Sequence, residues 1–170
     1  MRIAAFILLC GCATAQPPPA PPTPPLTMVD PGECSGDGGR SCYRKGRQLL
    51  ESRQPEVAQE SMESVDRACA AGMEEACDLA ELAFKVPRRT GGRNPRVPAS
   101  VRDRHVRGTV VVRCMLERDG RPRECVVLQA LHDEMDAEVL DSISTRTYEP
   151  ATWGGHPVRV PIDIRIDVSP

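Results

Sequence analysis

The sequence predicts an α+β protein, in which a C-terminal ββαβ domain with an antiparallel three-stranded sheet follows a small all-helical segment. Three features of the C-terminal half predict this fold. They are a hairpin signal at Asp119-Gly120, helical periodicity over residues 133–145, and strict alternation of apolar and polar residues over residues 156–168. Each element alone is marginal, so we expect the helix to pack on the apolar face of the sheet and close one core.

The hairpin is predicted over residues 108–130, where two runs rich in β-branched residues flank Asp119-Gly120. The helix follows over residues 133–145, with Asp133 as its expected cap and Asp136 completing a shortened capping box. Its apolar positions recur at helical spacing, at Met135, Val139, Leu140 and Ile143.

The last strand has one apolar and one polar face, because its residues alternate without a break. The apolar positions are Val158, Val160, Ile162, Ile164, Ile166 and Val168. The polar positions are Arg159, Asp163, Arg165 and Asp167. If this strand is a sheet edge, its unpaired backbone groups can bind an extended peptide, and these four charged side chains can select it. The alternative is a plain solvated face whose charges discourage aggregation.

Five short motifs follow one another over residues 98–168: Gly108-Thr-Val-Val-Val, Asp119-Gly120-Arg121, Met135-Asp136, Tyr148-Glu149-Pro150-Ala151 and Gly155-His-Pro-Val-Arg-Val-Pro. In combination they resemble the C-terminal domain of TonB, the periplasmic energy transducer, and its many relatives. The resemblance implies a ββαβ domain that binds protein by strand addition and catalyses no reaction. One departure is Val97-Pro98, where the family often has Tyr-Pro.

The N-terminal residues predict that the protein is exported. Arg2 and a short apolar run precede Leu9-Cys10-Gly11-Cys12, which resembles a bacterial lipobox, so residues 1–12 are expected to be a signal peptide that ends at a lipidated Cys12. The predicted location is the periplasmic side of the outer membrane, with the lipid as the membrane contact. The alternative is cleavage after Ala13-Thr14-Ala15, which would give a soluble periplasmic protein.

Three further segments are expected between the signal and the C-terminal domain. Residues 13–33 form a proline-rich linker, in which residues 16–25 favour polyproline II. Residues 34–85 form a cysteine-rich helical segment that resembles α/α repeat proteins related to tetratricopeptide repeats. Residues 86–97, with four arginines, form a basic linker that precedes the domain over residues 98–170.

Disulfides are the predicted use of the six cysteines that follow the signal. Cys34 and Cys42 are eight residues apart, and so are Cys69 and Cys77, which predicts two bridges. A two-residue turn at Asp119-Gly120 would place Cys114 opposite Cys125 in the hairpin, whereas a three-residue loop would place Cys114 opposite Glu124. The alternatives are a zinc site, which would require closer cysteine pairs, and a redox-active thiol.

Composition excludes several classes of function. A net charge of −2 and an aromatic content of 3% argue against nucleic-acid binding. His132 lies beside Asp133, but we find no nucleophile with a matching partner, no metal motif and no cofactor motif. The sequence therefore predicts a non-enzymatic, protein-binding module in outer-membrane transport or envelope assembly, with an outer-membrane receptor or an envelope complex as its protein partner. The alternative is a structural scaffold whose helical repeats bind proteins.

Overall fold

A computed structural model describes residues 35–169 of the 170-residue chain. The helices are α1 (Arg40–Ser52), α2 (Ala58–Ala70), α3 (Glu74–Ala83), α4 (Ala99–Asp103) and α5 (Asp133–Ser144). The strands are β1 (Phe84–Lys85), β2 (Arg88–Gly91), β3 (Gly108–Leu116), β4 (Pro122–Gln129), β5 (Thr147–Glu149), β6 (Thr152–Trp153), β7 (His156–Pro157) and β8 (Val160–Val168). Short 3-10 turns precede α1, at Ser35–Asp37, and α2, at Pro55–Val57. The fold is α+β, as the sequence predicts.

The central sheet has three antiparallel strands in the order β4-β3-β8. Its apolar face packs against α4 and α5, so the predicted ββαβ unit is present, preceded by the short helix α4. The buried residues of this core are Val101, Val110, Val112, Cys114, Met135, Val139, Ile143, Ile164 and Val168. β8 is shorter than the predicted strand, because residues 156–157 pair separately with β6.

The hairpin loop differs from the predicted two-residue turn. Glu117 donates its backbone N–H to the carbonyl of Arg121 over 3.0 Å, so the loop has three residues, 118–120. Gly120 ends the loop at a φ of 76°, which is the usual geometry of a type I turn followed by a bulge. A side chain could not replace the glycine hydrogen, because a Cβ there would lie 1.9 Å from the carbonyl oxygen of Tyr148.

A bulge in β4 places Cys125 beside Cys114, although the three-residue loop alone would have placed Glu124 there. Continued from the loop, the pairing would set Cys114 opposite Glu124. Glu124 instead has a φ of 51°, and the register shifts there, so that Glu124 and Cys125 together face Cys114. Cys114 and Cys125 form a disulfide with a Cα–Cα distance of 4.1 Å. The predicted pair is therefore present, but the turn that predicted it is wrong.

The predicted helical segment consists of α1, α2 and α3. The first two helices pack closely at Gly46, where a Cβ would lie 2.6 Å from the side chain of Val65. The disulfide Cys69–Cys77 joins the end of α2 to α3. Cys42 is also disulfide-bonded, and its predicted partner Cys34 lies outside the described residues.

A second core joins the helical segment to the C-terminal domain. Trp153 of β6 is fully buried between them, and its indole N–H donates to Ser61 Oγ over 2.8 Å. Ser61 in turn donates to the carbonyl of Gly46 over 2.7 Å. The buried residues of this shared core are Ala58, Met62, Val65, Ala68, Ala76, Ala80, Leu116, Ala151, Trp153, Val158 and Val160.

The predicted basic linker pairs with, and forms ion pairs to, other parts of the molecule. Its strand β2 pairs with β5, and β1 just before it pairs with β6. Arg93 forms ion pairs with Glu138 and Asp141 of α5, and the hydrogen bond from Arg93 holds the pKa of Glu138 below its ordinary value. An acidic helix of the same chain therefore neutralises part of the basic charge of this linker.

The start of α5 differs from the predicted capping box. The N-cap residue is His132 and it makes no side-chain cap bond, so Asp133 is the first helical residue instead of the cap. The carboxylate of Asp136 accepts the backbone N–H of Leu131 over 3.1 Å. Asp136 therefore holds Leu131, just before the helix, against its first turn.

Several sequence predictions lie outside the described residues. They are the signal peptide over residues 1–12, the lipidated Cys12, the proline-rich linker over residues 13–33, and Cys34. Among the helices of residues 35–169, none combines the length and the apolar character that a membrane span requires.

Candidate peptide-binding edge

Strand β8 lies at an edge of the central sheet. It pairs with β3 in one unbroken antiparallel register, from Gly108 opposite Val168 to Leu116 opposite Val160. Within residues 35–169 no other strand pairs with it. One side of β8 is therefore available to another strand, as binding of an extended peptide would require.

The direction of the β8 backbone groups follows from the hairpin. Glu117 donates its backbone N–H to the carbonyl of Arg121, on the β4 side of β3. Because both backbone groups of a residue point the same way and alternate along an antiparallel strand, the even-numbered residues of β3 point towards β8. Their partners in β8 are also even-numbered. The odd-numbered residues of β8 therefore direct N–H and C=O away from the sheet.

We call this set of outward groups the free edge. It comprises the N–H and C=O of Asp163, Arg165 and Asp167 and the C=O of Pro161, and none of them has a hydrogen-bond partner among the described residues. Pro161 has no N–H to offer, and proline occurs in sheets at positions whose nitrogen faces solvent. Its position agrees with the direction derived from the hairpin.

The polar face beside the free edge carries an ordered row of charges. Arg113 of β3 donates two hydrogen bonds to Asp163, over 2.7 and 2.9 Å, and these bonds hold the pKa of Asp163 below its ordinary value. The hydroxyl of Thr109 donates to Asp167 over 2.7 Å. Arg165 lies between the two acids, is exposed, and makes no hydrogen bond or ion pair within residues 35–169.

The other face of β8 is apolar. Ile164 is buried, whereas Ile162 and Ile166 are half-buried at the rim of the core. A strand added to β8 would alternate its side chains between this rim and the row of charges, because residues of neighbouring strands share faces. The geometry suits an extended peptide with apolar residues at every second position.

Arg159 has a different role from the other three predicted residues. Its guanidinium donates to Glu117 over 2.7 Å and to Glu124 over 2.8 Å, and the first of these bonds raises the pKa of the guanidinium. Its backbone N–H and C=O both bond to the side chain of Gln59 in α2. The structure therefore brings Asp163, Arg165 and Asp167 together and commits Arg159 to contacts inside the protein.

Sequence reasoning misses four residues that shape this edge: Gln59, Thr109, Arg113 and Glu117. The alternation of β3 places Arg113 and Thr109 on the polar face, so a register between β3 and β8 could have found them. Gln59 has no comparable signal, because it lies one hundred residues from Arg159 in the sequence and its helix could pack in several ways.

A second concave surface lies on α1. It is a groove of about 470 Å³ lined by Arg40, Tyr43, Arg44, Arg47, Gln48, Glu51 and Met73. Arg47 within it is paired with Glu51 over 2.9 Å. No group of three or more metal-binding side chains occurs in the described part of the chain.

The C-terminal part of the molecule is an open-edged antiparallel sheet with helices on one face and a polar row on the other. A family model for the C-terminal domain of the Gram-negative bacterial TonB protein matches residues 93–167, which is less than half of the chain. These residues form a TonB-like C-terminal domain. Domains of this family are envelope modules that interact with proteins and are not enzymes.

Among solved structures, the solution structure of the TonB C-terminal domain from Pseudomonas aeruginosa is similar to this chain. The identity is 22% and the TM-score is 0.43, over 49% of this chain and 86% of that one. The TonB-like character of residues 93–167 rests on the family match. No curated protein matches the chain.

Proposed function

We propose that this protein captures an extended segment of a partner protein by strand addition to the free edge of β8. The observation that carries the proposal is the unbroken row of outward backbone groups from Pro161 to Asp167. Exposed edge groups of this kind pair readily with another chain, and main-chain hydrogen bonds then supply affinity while alternate side chains supply specificity.

The row of charges indicates the segment that fits best. On the polar face, opposite charges on neighbouring strands attract and like charges repel. An acidic side chain would therefore lie opposite Arg165, with basic or neutral side chains opposite Asp163 and Asp167. Apolar side chains at the intervening positions would contact Ile162 and Ile166. The preferred segment is extended, amphipathic and acidic at its centre.

A synthetic heptapeptide, Val-Lys-Val-Glu-Val-Lys-Val with blocked ends, provides the test. Its sequence reads the same in both directions, so it presents one pattern whether the added strand is parallel or antiparallel. We expect isothermal titration calorimetry to show binding to the chain from residue 13 onward, which keeps Cys34, and a charge-exchanged control, Val-Glu-Val-Lys-Val-Glu-Val, to bind roughly three- to tenfold more weakly. Equal affinity, or no binding of either peptide, would contradict the proposal.

The location is the second part of the proposal. A lipid on Cys12 would tether the described domain to a membrane of the envelope, and the proline-rich linker over residues 13–33 would extend it from the surface by about 3.1 Å per residue in its polyproline part. The mass of the mature protein from envelope fractions tests this. A diacylglyceryl group on Cys12 supports the anchor, whereas a chain that begins at Gln16 indicates a soluble periplasmic protein.

The scaffold alternative assigns partner binding to the helices instead. One observation favours it, since the groove on α1 presents Arg40 and Arg44 to solvent beside Tyr43. Deletion of the helices would not separate the two functions, because it would expose Trp153 and the rest of the shared core. The double substitution Arg40→Ala and Arg44→Ala leaves that core intact. If strand addition is the function, this double substitution should leave heptapeptide binding unchanged.

A further inference from the structure

The side chain of Gln59 imitates a neighbouring strand at one end of the free edge. Its Oε1 accepts the backbone N–H of Arg159 over 2.9 Å, and its Nε2 donates to the backbone C=O of Arg159 over 3.2 Å. In an antiparallel sheet, one residue of the adjacent strand makes this same pair of bonds. Gln59 therefore occupies the place that an added strand would take at Arg159.

Glu63 fixes which way the Gln59 amide points. It lies one helical turn further along α2, and its carboxylate accepts a second hydrogen from Gln59 Nε2 over 3.1 Å. A rotated amide would turn its oxygen towards the carboxylate and lose both the Glu63 bond and the Arg159 pair. The donor and the acceptor of Gln59 are thus held in the orientation that satisfies Arg159.

The helix that carries Gln59 is anchored to the C-terminal domain. Its neighbours Ala58, Ser61 and Met62 are buried in the shared core, and Ser61 is hydrogen-bonded to Trp153. Gln59 cannot leave Arg159 by a movement of α2 as a whole without disturbing these contacts, since cores of this kind are close-packed.

We infer that Gln59 is the stop that sets the register of the bound segment, and that α2 is therefore part of the peptide-binding site. The inference rests on the strand addition proposed above. A segment that adds to β8 can pair along Pro161–Asp167 and must end or turn away before Arg159, whose backbone groups are already satisfied. The helical segment thus limits the length and fixes the position of the partner segment.

A longer peptide tests the stop. The heptapeptide is compared with a thirteen-residue version that carries Thr-Val-Thr at each end, which is long enough to reach Arg159 in either direction. In the natural protein we expect extension to improve binding by no more than about fivefold, through one added bond to the carbonyl of Pro161. In Gln59→Ala, where Arg159 is freed, extension should improve the dissociation constant by about fivefold more than in the natural protein, the equivalent of one net hydrogen bond.

The control is Gln48→Ala, which removes the same side chain from an exposed position of α1 and should behave as the natural protein does. Amide hydrogen exchange in the natural protein provides a measurement that needs no variant. On heptapeptide binding, the amides of Asp163, Arg165 and Asp167 should exchange more slowly, whereas the exchange of the Arg159 amide should not change.

The outcomes separate the two proposals. If neither peptide binds the natural protein, strand addition itself is wrong. If the heptapeptide binds but extension strengthens binding to the natural protein and to Gln59→Ala equally, the stop is wrong and strand addition stands. Additional protection of the Arg159 amide by the longer peptide in the natural protein would also overturn the stop.

Discussion

The two edges of the central sheet differ in regularity, although both belong to strands of similar length paired with β3. The β4 edge begins with Pro122, is bulged at Glu124, shifts register again before Gln129, and is joined to β3 by a disulfide. The β8 edge keeps one register along its whole length and is closed at one end by Gln59. Bulges and prolines are common protections of sheet edges. The contrast indicates that β4 is protected against pairing, whereas β8 is open over a defined stretch.

The closed end of β8 depends on the shared core. Trp153 has 0% exposure and connects the sheet to the helix that holds Gln59. We expect Trp153→Ala to lower the free energy of unfolding by about 3–5 kcal/mol, because it leaves a large cavity and removes the indole N–H that Ser61 accepts. Urea denaturation measures this change. Leu82→Ala is the control, since Leu82 is 86% exposed and its truncation should cost less than about 0.5 kcal/mol.

The irregular edge depends on the Cys114–Cys125 bridge. Replacing both cysteines by alanine should lower the free energy of unfolding by roughly 2–4 kcal/mol. It should also speed amide exchange in β4 more than in β8, because the bulge at Glu124 loses its covalent support. The matched variant replaces Cys69 and Cys77, and its faster exchange should appear at the junction of α2 and α3. Equally faster amide exchange in β8 and β4 would show that the bridge does not stabilise the β4 edge selectively.

The open edge can be blocked with one residue. Arg165→Pro removes an outward N–H that β3 does not use, so the fold should persist while heptapeptide affinity falls about tenfold or more. Calorimetry measures the affinity and circular dichroism checks the fold. Arg165→Ala keeps the N–H and should lose only the few-fold contribution of the charge. If the proline and alanine variants bind alike, the backbone of β8 is not the binding element.

The smallest effect is electrostatic and belongs to the β8 side of the sheet. Arg113 lowers the pKa of Asp163 in the folded state, so the pair stabilises the fold above the unfolded pKa of about 3.9 and loses this contribution as pH falls through the lower folded pKa. We expect Asp163→Asn to flatten the acid limb of stability below about pH 4, as measured by urea denaturation at several pH values. Asp103→Asn, at an exposed position without an ion pair in the described residues, should leave that limb unchanged.

The sheet and its helix could be predicted because their residues alternate or recur with a period that only one element satisfies. The alternation of β8 places its apolar side chains in the core, and the stripe of α5 lies where Met135, Val139 and Ile143 indicate. Asp119-Gly120 identified the hairpin but not its loop length, since the same dipeptide fits loops of two and of three residues. No pattern in the sequence around Glu124 predicts the bulge. In the structure it is visible as a left-handed backbone angle and a shift in register.

The relation between the two halves could not be predicted from local patterns. The basic stretch over residues 86–97 has the composition of a linker, yet its pairing with β5 and its contacts with α5 depend on partners more than forty residues away. Trp153 lies in a short strand that two glycines follow, and nothing around it in the sequence indicates that α2 covers it. The role of Gln59 follows from that packing alone, so it could be found only in the folded chain.

Strand addition at β8 is the central claim, and site-resolved amide exchange with the heptapeptide tests it most directly. The residues to follow are Asp163, Arg165 and Asp167 on the open edge, with outward-facing amides of β4 as the internal reference. The account predicts that saturating peptide slows exchange at all three β8 amides and leaves β4 unchanged. Binding that protects β4, or that protects no backbone amide of β8, would contradict it.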